Sequence, residues 1–123
     1  VTYTFVRNNN KGRAVFVSEP FNKGETIEVC HILVVDDDFW MLRRRKTPFD
    51  PYVYWFDKKA VIALGHGSLY NHSYTPNASW TCRKSSQTIR FFALRDIQAC
   101  EEITINYNGS PKSKAPMDFE VLT

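Results

Sequence analysis

Along most of the chain, apolar and aromatic residues come in short runs rather than at helical spacing. "TYTFV" (2–6), "AVFVS" (14–18), "TIEVCHILVV" (26–35), "YVYWF" (52–56), "AVIAL" (60–64), "ASWTC" (78–82), "TIRFFALR" (88–95) and "EITINY" (102–107) are rich in β-branched and aromatic residues. Such residues suit a pleated, half-buried surface. Turn formers separate most of the runs: Lys11-Gly12, Asn22-Lys23-Gly24, Gly65 to Gly67, Ser85-Ser86 and Asn108-Gly109. Many short strands with no long segment of 3.6 period predict a mainly β domain. One helix is expected over 36–46, "DDDFWMLRRRK", where early aspartates and late basic residues complement the helix dipole. Pro48 and Pro51 stop it, and at about three turns it must pack through Phe39, Trp40 or Leu42. From Ser110 the texture changes, polar and Pro-containing first, then apolar at Phe119, Val121 and Leu122. That pattern suggests a link followed by a docking segment.

Composition narrows the picture. The 123 residues fit one domain, and 43% hydrophobic with 15% aromatic residues suits a packed core rather than a disordered chain. A net charge of +3 is too weak to point to direct nucleic-acid binding without a focused patch. The run Arg43-Arg44-Arg45-Lys46 is the one suspect for a phosphate backbone, and it reads better as the solvated end of a helix. Asp36-Asp37-Asp38 reads as a helix start, with a landing site for a basic peptide as its functional alternative. Cys30, Cys82 and Cys100 are odd in number and widely spaced, so they are expected as small buried hydrophobes and not as disulfides or a zinc site. No apolar run reaches the length of a membrane span and the first residues do not resemble a signal peptide, so a reducing intracellular setting is expected.

The stretch "GSLYNHSYTPNASW" (67–80) concentrates polar chemistry. Asn71-His72-Ser73, Asn77-Ala78-Ser79 and Asn108-Gly109-Ser110 match the glycan-acceptor pattern, which matters only in the secretory pathway. Hydrolase, zinc-protease and phosphate-loop signatures are absent, His31, His66 and His72 have no metal-cluster spacing, and adjacent His72 and Ser73 cannot form a dyad. What remains is an ordered set: "KGRAVFVSEPFNKGETI" (11–27), the paired tyrosines of "YVYWF", the 67–80 stretch, and "ALRDIQACEEITINY" (93–107) ending on Tyr107.

In that order, G-x-x-V-F, N-K-G-E, N-H-S-x-x-P-N-A and E-E-I-T-I-N-Y resemble a SET-domain protein lysine methyltransferase of the minimal stand-alone type, from about Gly12 to Tyr107. The resemblance implies a mainly β SET fold of several small sheets with a knot-like C-terminal segment and few short helices. It implies a domain over 1–109 and a tail over 110–123 that closes the cofactor or substrate site. It also implies S-adenosylmethionine as cofactor, held by Gly12, Arg13, Ala14, Asn71, His72 and Tyr107, with Phe119 or Met117 as an apolar lid. Tyr107 and Tyr54 would be the catalytic pair, and Tyr54, Tyr70 and Ile105 would line the lysine channel, with no metal. The partner implied is a basic, histone-like protein segment in the nucleus or cytoplasm, and the minimal size leaves room for a homodimer. Two positions depart from the family pattern: Ala14 stands where a second glycine is usual, and Ser68 where an arginine is frequent. They keep a non-catalytic SET-like binding module in view as the alternative, with a nucleic-acid-binding β domain behind it. Glu101-Glu102 reads as a structural turn rather than an acid/base pair.

Overall fold

The computed structural model describes residues 4–116. In chain order its elements are β1 (Thr4–Asn9), β2 (Gly12–Val17), β3 (Thr26–Asp36), α1 (Phe39–Arg45), β4 (Val53–Phe56), β5 (Lys59–Ala63), β6 (Asn71–His72), β7 (Ala78–Arg83), β8 (Thr88–Ala93) and β9 (Thr104–Ile105), with short 3-10 turns at Asp50–Tyr52 and Gly67–Leu69. They build three small sheets. β1 and β2 form an antiparallel hairpin, five strands run in the order β4-β5-β3-β8-β7, and β6 pairs with β9. The first two are antiparallel throughout, whereas β6 and β9 are parallel, Asn71 opposite Thr104 and His72 opposite Ile105.

The expected strands appear with two adjustments. The run at 102–107 forms a strand only at Thr104–Ile105, where its partner is the two-residue β6, and adds a single antiparallel bridge from Glu102 to Phe16 of β2. Tyr52 belongs to a 3-10 turn with Pro51 near its start, so Tyr52 and Tyr54 do not share a strand face. The helix begins at Phe39, later than the aspartate run suggested. Asp38 lies outside it in extended conformation and accepts from the amides of Trp40 and Met41 at 3.0 and 3.2 Å, a side-chain N-cap. Asp36 pairs with Arg45 and also accepts from the Asp38 amide. Those two carboxylates serve the helix, as residues at a helix start do. Of the three candidate packing residues, Leu42 is the one that is buried, while Trp40 is 63% exposed.

The core lies where the sheets meet. Val15 and Val17 from β2, Cys30 from β3, Val61 and Ala63 from β5, Ile89 and Phe91 from β8, and Ile103 and Ile105 near the C-terminal end are buried together around Tyr70. Cys30 is therefore a small core residue, but Cys82 and Cys100 are exposed, contrary to expectation. The chain reaches this core through Gly67, where an added Cβ would stand 2.7 Å from the Ala63 Cβ, 2.8 Å from the Phe91 ring and 2.9 Å from the Cys30 sulfur. All three neighbours are themselves packed, so none can retreat cheaply. Gly67→Ala should therefore cost about 1–3 kcal/mol of stability as overpacking, read as a lower urea midpoint at unchanged slope. An unaltered midpoint would show that this corner yields.

Candidate functional site

The site grows from residues 63–72, which lead from β5 to β6. Ser68 locks the start of this segment, its hydroxyl accepting from the Ala63 amide at 2.9 Å and donating to the Tyr52 carbonyl at 2.8 Å. Two phenols then reach the same segment from opposite parts of the chain. Tyr54 in β4 donates its hydroxyl to the Gly67 carbonyl at 2.6 Å, and Tyr107, just beyond β9, donates to the Tyr70 carbonyl at 2.6 Å. Both line one cavity of about 760 Å³, shared with Tyr52, Trp55, Trp80 and Tyr70. Trp40 and Arg43 of α1 form part of its wall.

The cavity is strongly aromatic. Tyr54 meets Trp80 edge-on at 5.1 Å and Phe91 at 5.9 Å, and Tyr70 meets Phe91 at 4.7 Å. Burial raises the Tyr54 phenol well above its ordinary value. Tyr107 is pushed up to about 12, by burial first and then by the charge of Glu102 and by Tyr52. At neutral pH both are neutral hydroxyls with their protons committed to carbonyls, so each presents oxygen lone pairs to whatever enters.

A second cluster sits on the other side of β6. Asn71 donates to the Arg13 carbonyl at 2.9 Å and to Glu102 Oε2 at 2.8 Å. Glu102 Oε1 in turn accepts from Lys11 Nζ at 2.9 Å and stands 3.5 Å from the Asn9 amide nitrogen. Glu102 thus ties the β1–β2 turn to β6, a structural role that fits the reading of the double glutamate as a non-catalytic turn. In that turn Gly12 takes φ +92, and no atom lies within 4 Å of where its Cβ would stand, so the backbone there is open to a ligand. Arg13 carries its guanidinium to the Tyr52 hydroxyl at 3.0 Å, linking the two clusters. Ala14 is an ordinary strand residue opposite Arg7, with its methyl fully buried, so no glycine is needed there.

His72 connects the halves. It is buried in β6, and its Nδ1 accepts the Tyr107 amide at 3.0 Å, which puts the proton of the neutral ring on Nε2. Its ring meets Tyr74 at 4.6 Å and Tyr107 at 5.2 Å, both edge-on. Beyond it the buried Asn77 side chain donates to the Glu102 carbonyl at 2.7 Å and accepts the Thr104 amide at 2.9 Å. An asparagine so enclosed cannot carry a glycan. The tail folds back here too: the Ala115 carbonyl accepts from the Tyr74 hydroxyl at 2.9 Å and from the Asn108 amide at 3.1 Å, and Pro116 reaches the cavity wall.

Of the residues singled out from sequence, Tyr54, Tyr70 and Tyr107 are brought together at the cavity, and Gly12, Arg13, Ala14, Asn71 and His72 gather around β6 and the hairpin turn. Ile105 is not brought to the cavity; it is fully buried in the core behind His72. Phe119 and Met117 lie outside the described residues. Sequence reading missed Tyr52, Trp55, Trp80 and Cys82 as cavity walls and Glu102 and Lys11 as the tie beneath Asn71. The aromatic character of three of the walls was visible, but not their convergence from β4, β7 and a 3-10 turn. Among the described residues no cluster of three or more His, Cys, Asp or Glu could hold a metal ion, and no helix is long and apolar enough to cross a membrane.

Residues 12–108 match the SET domain family. A Schizosaccharomyces pombe protein named histone-lysine N-methyltransferase, H3 lysine-37 specific, is 34% identical over 98 residues, spanning 79% of this chain and 67% of its own. The crystal structure of a Plasmodium falciparum protein provisionally assigned as a histone methyltransferase superposes with a TM-score of 0.72 at 29% identity, covering 88% of this chain and 95% of that one.

Burial lowers the pKa of His72 from its ordinary 6.5. The native state therefore holds fewer protons than the unfolded chain in the window just below 6.5. The stability this neutral ring contributes is complete above 6.5 and should be lost as the pH falls from there toward the depressed native value. Urea midpoints measured downward from pH 7 should show that loss, and His72→Asn, which keeps an acceptor for the Tyr107 amide without a titrating ring, should flatten it. An equal slope in the variant would assign the effect to other groups.

Proposed function

Because this chain belongs to the SET-domain family, we propose that it transfers a methyl group from S-adenosylmethionine to a lysine side chain of a basic, histone-like protein segment. The observation that carries this reading is the pair of phenols, Tyr54 and Tyr107, whose hydroxyls are pinned to the Gly67 and Tyr70 carbonyls inside one aromatic cavity.

The residues present fit the cofactor. The open backbone at Gly12 and the polar edge at Asn71 suit a small zwitterionic ligand, and Asn71, having given its amide hydrogens to Arg13 and Glu102, offers its carbonyl oxygen to an ammonium. Gly12, Arg13, Ala14, Asn71, His72 and Tyr107 would hold it, with the tail beyond residue 109 closing over them. When bound, S-adenosylmethionine supplies an electrophilic methyl on a sulfonium whose positive charge disfavours a second cation nearby.

The chain's own residues do the rest by binding and orienting. A lysine with an ordinary pKa of about 10.4 must shed a proton before its nitrogen can attack, and an aromatic cavity favours the neutral amine by desolvation. Neither phenol can act as base at neutral pH, since both are protonated and their protons are committed. Their lone pairs accept the amine's N–H hydrogens and so fix the direction of its own lone pair. Catalysis is then mainly positioning, a source of roughly 7–11 kcal/mol of barrier reduction when complete. With a histone-like substrate, the working compartment is the nucleus or the cytoplasm.

Titration of S-adenosylmethionine and S-adenosylhomocysteine by calorimetry, then labelled-methyl transfer to histones, tests the reading; a folded protein that binds neither would overturn it. Tyr107→Phe should lower kcat by about 10²-fold or more, as loss of one preorganised polar contact does, with cofactor affinity nearly unchanged. Wild-type turnover would remove Tyr107 from the chemistry. Asn71→Ala should instead weaken cofactor binding about 5- to 10-fold, the scale of one lost hydrogen bond; unaltered binding would place the cofactor elsewhere.

A further inference from the structure

Both catalytic phenols are aimed by carbonyls of the same short segment, so whatever fixes that segment fixes the site. One side chain outside the cavity reaches it at two points. Glu28 of β3 accepts the Tyr70 hydroxyl on Oε1 at 2.6 Å and the His66 amide on Oε2 at 3.1 Å. Those contacts bracket residues 66–70 and therefore both acceptor carbonyls, Gly67 and Tyr70. The fit is close: Gly65 has φ +75, and a Cβ there would run into Glu28 Oε2. Both carboxylate oxygens accept from protein donors, and Tyr70 is 1% exposed, so water cannot substitute for its hydroxyl's partner without reopening the core.

We infer that Glu28 is a positioning residue for methyl transfer, clamping residues 66–70 so that the Gly67 and Tyr70 carbonyls hold the Tyr54 and Tyr107 hydroxyls in their reactive orientation. Glu28 touches neither the cavity nor either phenol's hydroxyl, so it acts only through the segment. An amide in its place has one acceptor oxygen where the carboxylate has two, and can satisfy only one of the two donors. The clamp is then released at the Tyr70 or the His66 end with little change in volume. This inference rests on the methyltransferase reading above for its kinetic consequence, but not for its geometry.

The test uses the full chain as wild type, Glu28→Gln, Tyr70→Phe and the double variant. For folded protein well below each melting temperature, Glu28→Gln should lower kcat about 10-fold or more and leave the KM for S-adenosylmethionine within about twofold. Tyr70→Phe, which removes the clamped hydroxyl but no backbone atom, should lower kcat in the same direction, and the double variant should fall short of the product of the two effects. A merely structural carboxylate would lower the melting temperature while leaving kcat per folded molecule intact, and full additivity would separate the two residues; either result overturns the inference. A readout independent of turnover comes from tyrosine labelled with ¹³C at Cζ. The Cζ shift of Tyr107 reports the hydrogen bond its hydroxyl gives to the Tyr70 carbonyl, and in Glu28→Gln it should move toward that of a solvent-bonded phenol as the hydroxyl loses that carbonyl. A Cζ shift that stays in place overturns the clamp. A wild type without methyl transfer but with that shift would refute the function and keep the clamp.

Discussion

Two residues of parallel strand lie at the centre of the site. Asn71 and His72 lie beside Thr104 and Ile105, and this pairing sets the 67–77 stretch against the segment that ends at Tyr107. A two-residue ladder between segments so far apart in sequence cannot offset its own loop-closure entropy, which grows as about (3/2)RT ln n. Side chains and extra backbone bonds therefore reinforce it from both ends. Asn77 holds the Thr104 amide and the Glu102 carbonyl, the Ser73 amide reaches the Ile105 carbonyl at 2.9 Å, and His72 receives the Tyr107 amide. The buried Ile103 and Ile105 supply the apolar floor. Asparagine and histidine occupy those positions because each satisfies a backbone group that the short ladder leaves over.

The same arrangement is what lets the proposed transfer proceed without a base among several titratable groups. The ionisable side chains gathered around β6 and the 66–70 segment are already committed: Glu102 to Asn71 and Lys11, Glu28 to Tyr70 and the His66 amide, the phenols to carbonyls, His72 to a backbone amide. Burial then holds the phenols neutral and the imidazole uncharged. A group so committed does not reorganise as charge moves nearby, and orientation is what it can contribute. The desolvation that keeps Tyr54 protonated acts on a guest lysine in the opposite charge sense, favouring its neutral amine in the same cavity.

Much of this was readable in the residues. The strands announced themselves because pleated, half-buried sheets favour short runs of β-branched and aromatic residues between turn formers, and Asn71, His72, Tyr54 and Tyr107 stood out through their ordered motifs. β6 was not readable, since two residues carry no period, and neither was Tyr52, whose displacement into a 3-10 turn comes from Pro51. Trp80 and Trp55 looked like any strand aromatics; their place in the cavity depends on how far the five-stranded sheet curls its two edges, β4 and β7, toward each other, to the point where Tyr54 packs on Trp80 and the Cys82 thiol faces the Trp55 carbonyl. Glu28 carried no local signal because its partners lie about forty residues away, across a pairing that only the fold creates.

The two departures from the family pattern show what such a pattern encodes. A glycine is required where φ is positive or where a Cβ would collide. Gly12 meets the first condition and Gly67 the second, and both are glycine here. Ala14 meets neither: it lies in a strand with its methyl in the core, so alanine adds buried surface at no conformational cost. Ser68, standing where a long cation is frequent, answers a local need instead, since its single hydroxyl satisfies one amide and one carbonyl between β5 and the Asp50–Tyr52 turn. Neither replacement disturbs the carbonyls that receive Tyr54 and Tyr107. A departure at a motif position therefore argues against activity only when it removes the backbone geometry or the polar partner that the motif exists to supply, and the carbonyl geometry at Gly67 and Tyr70 is intact here.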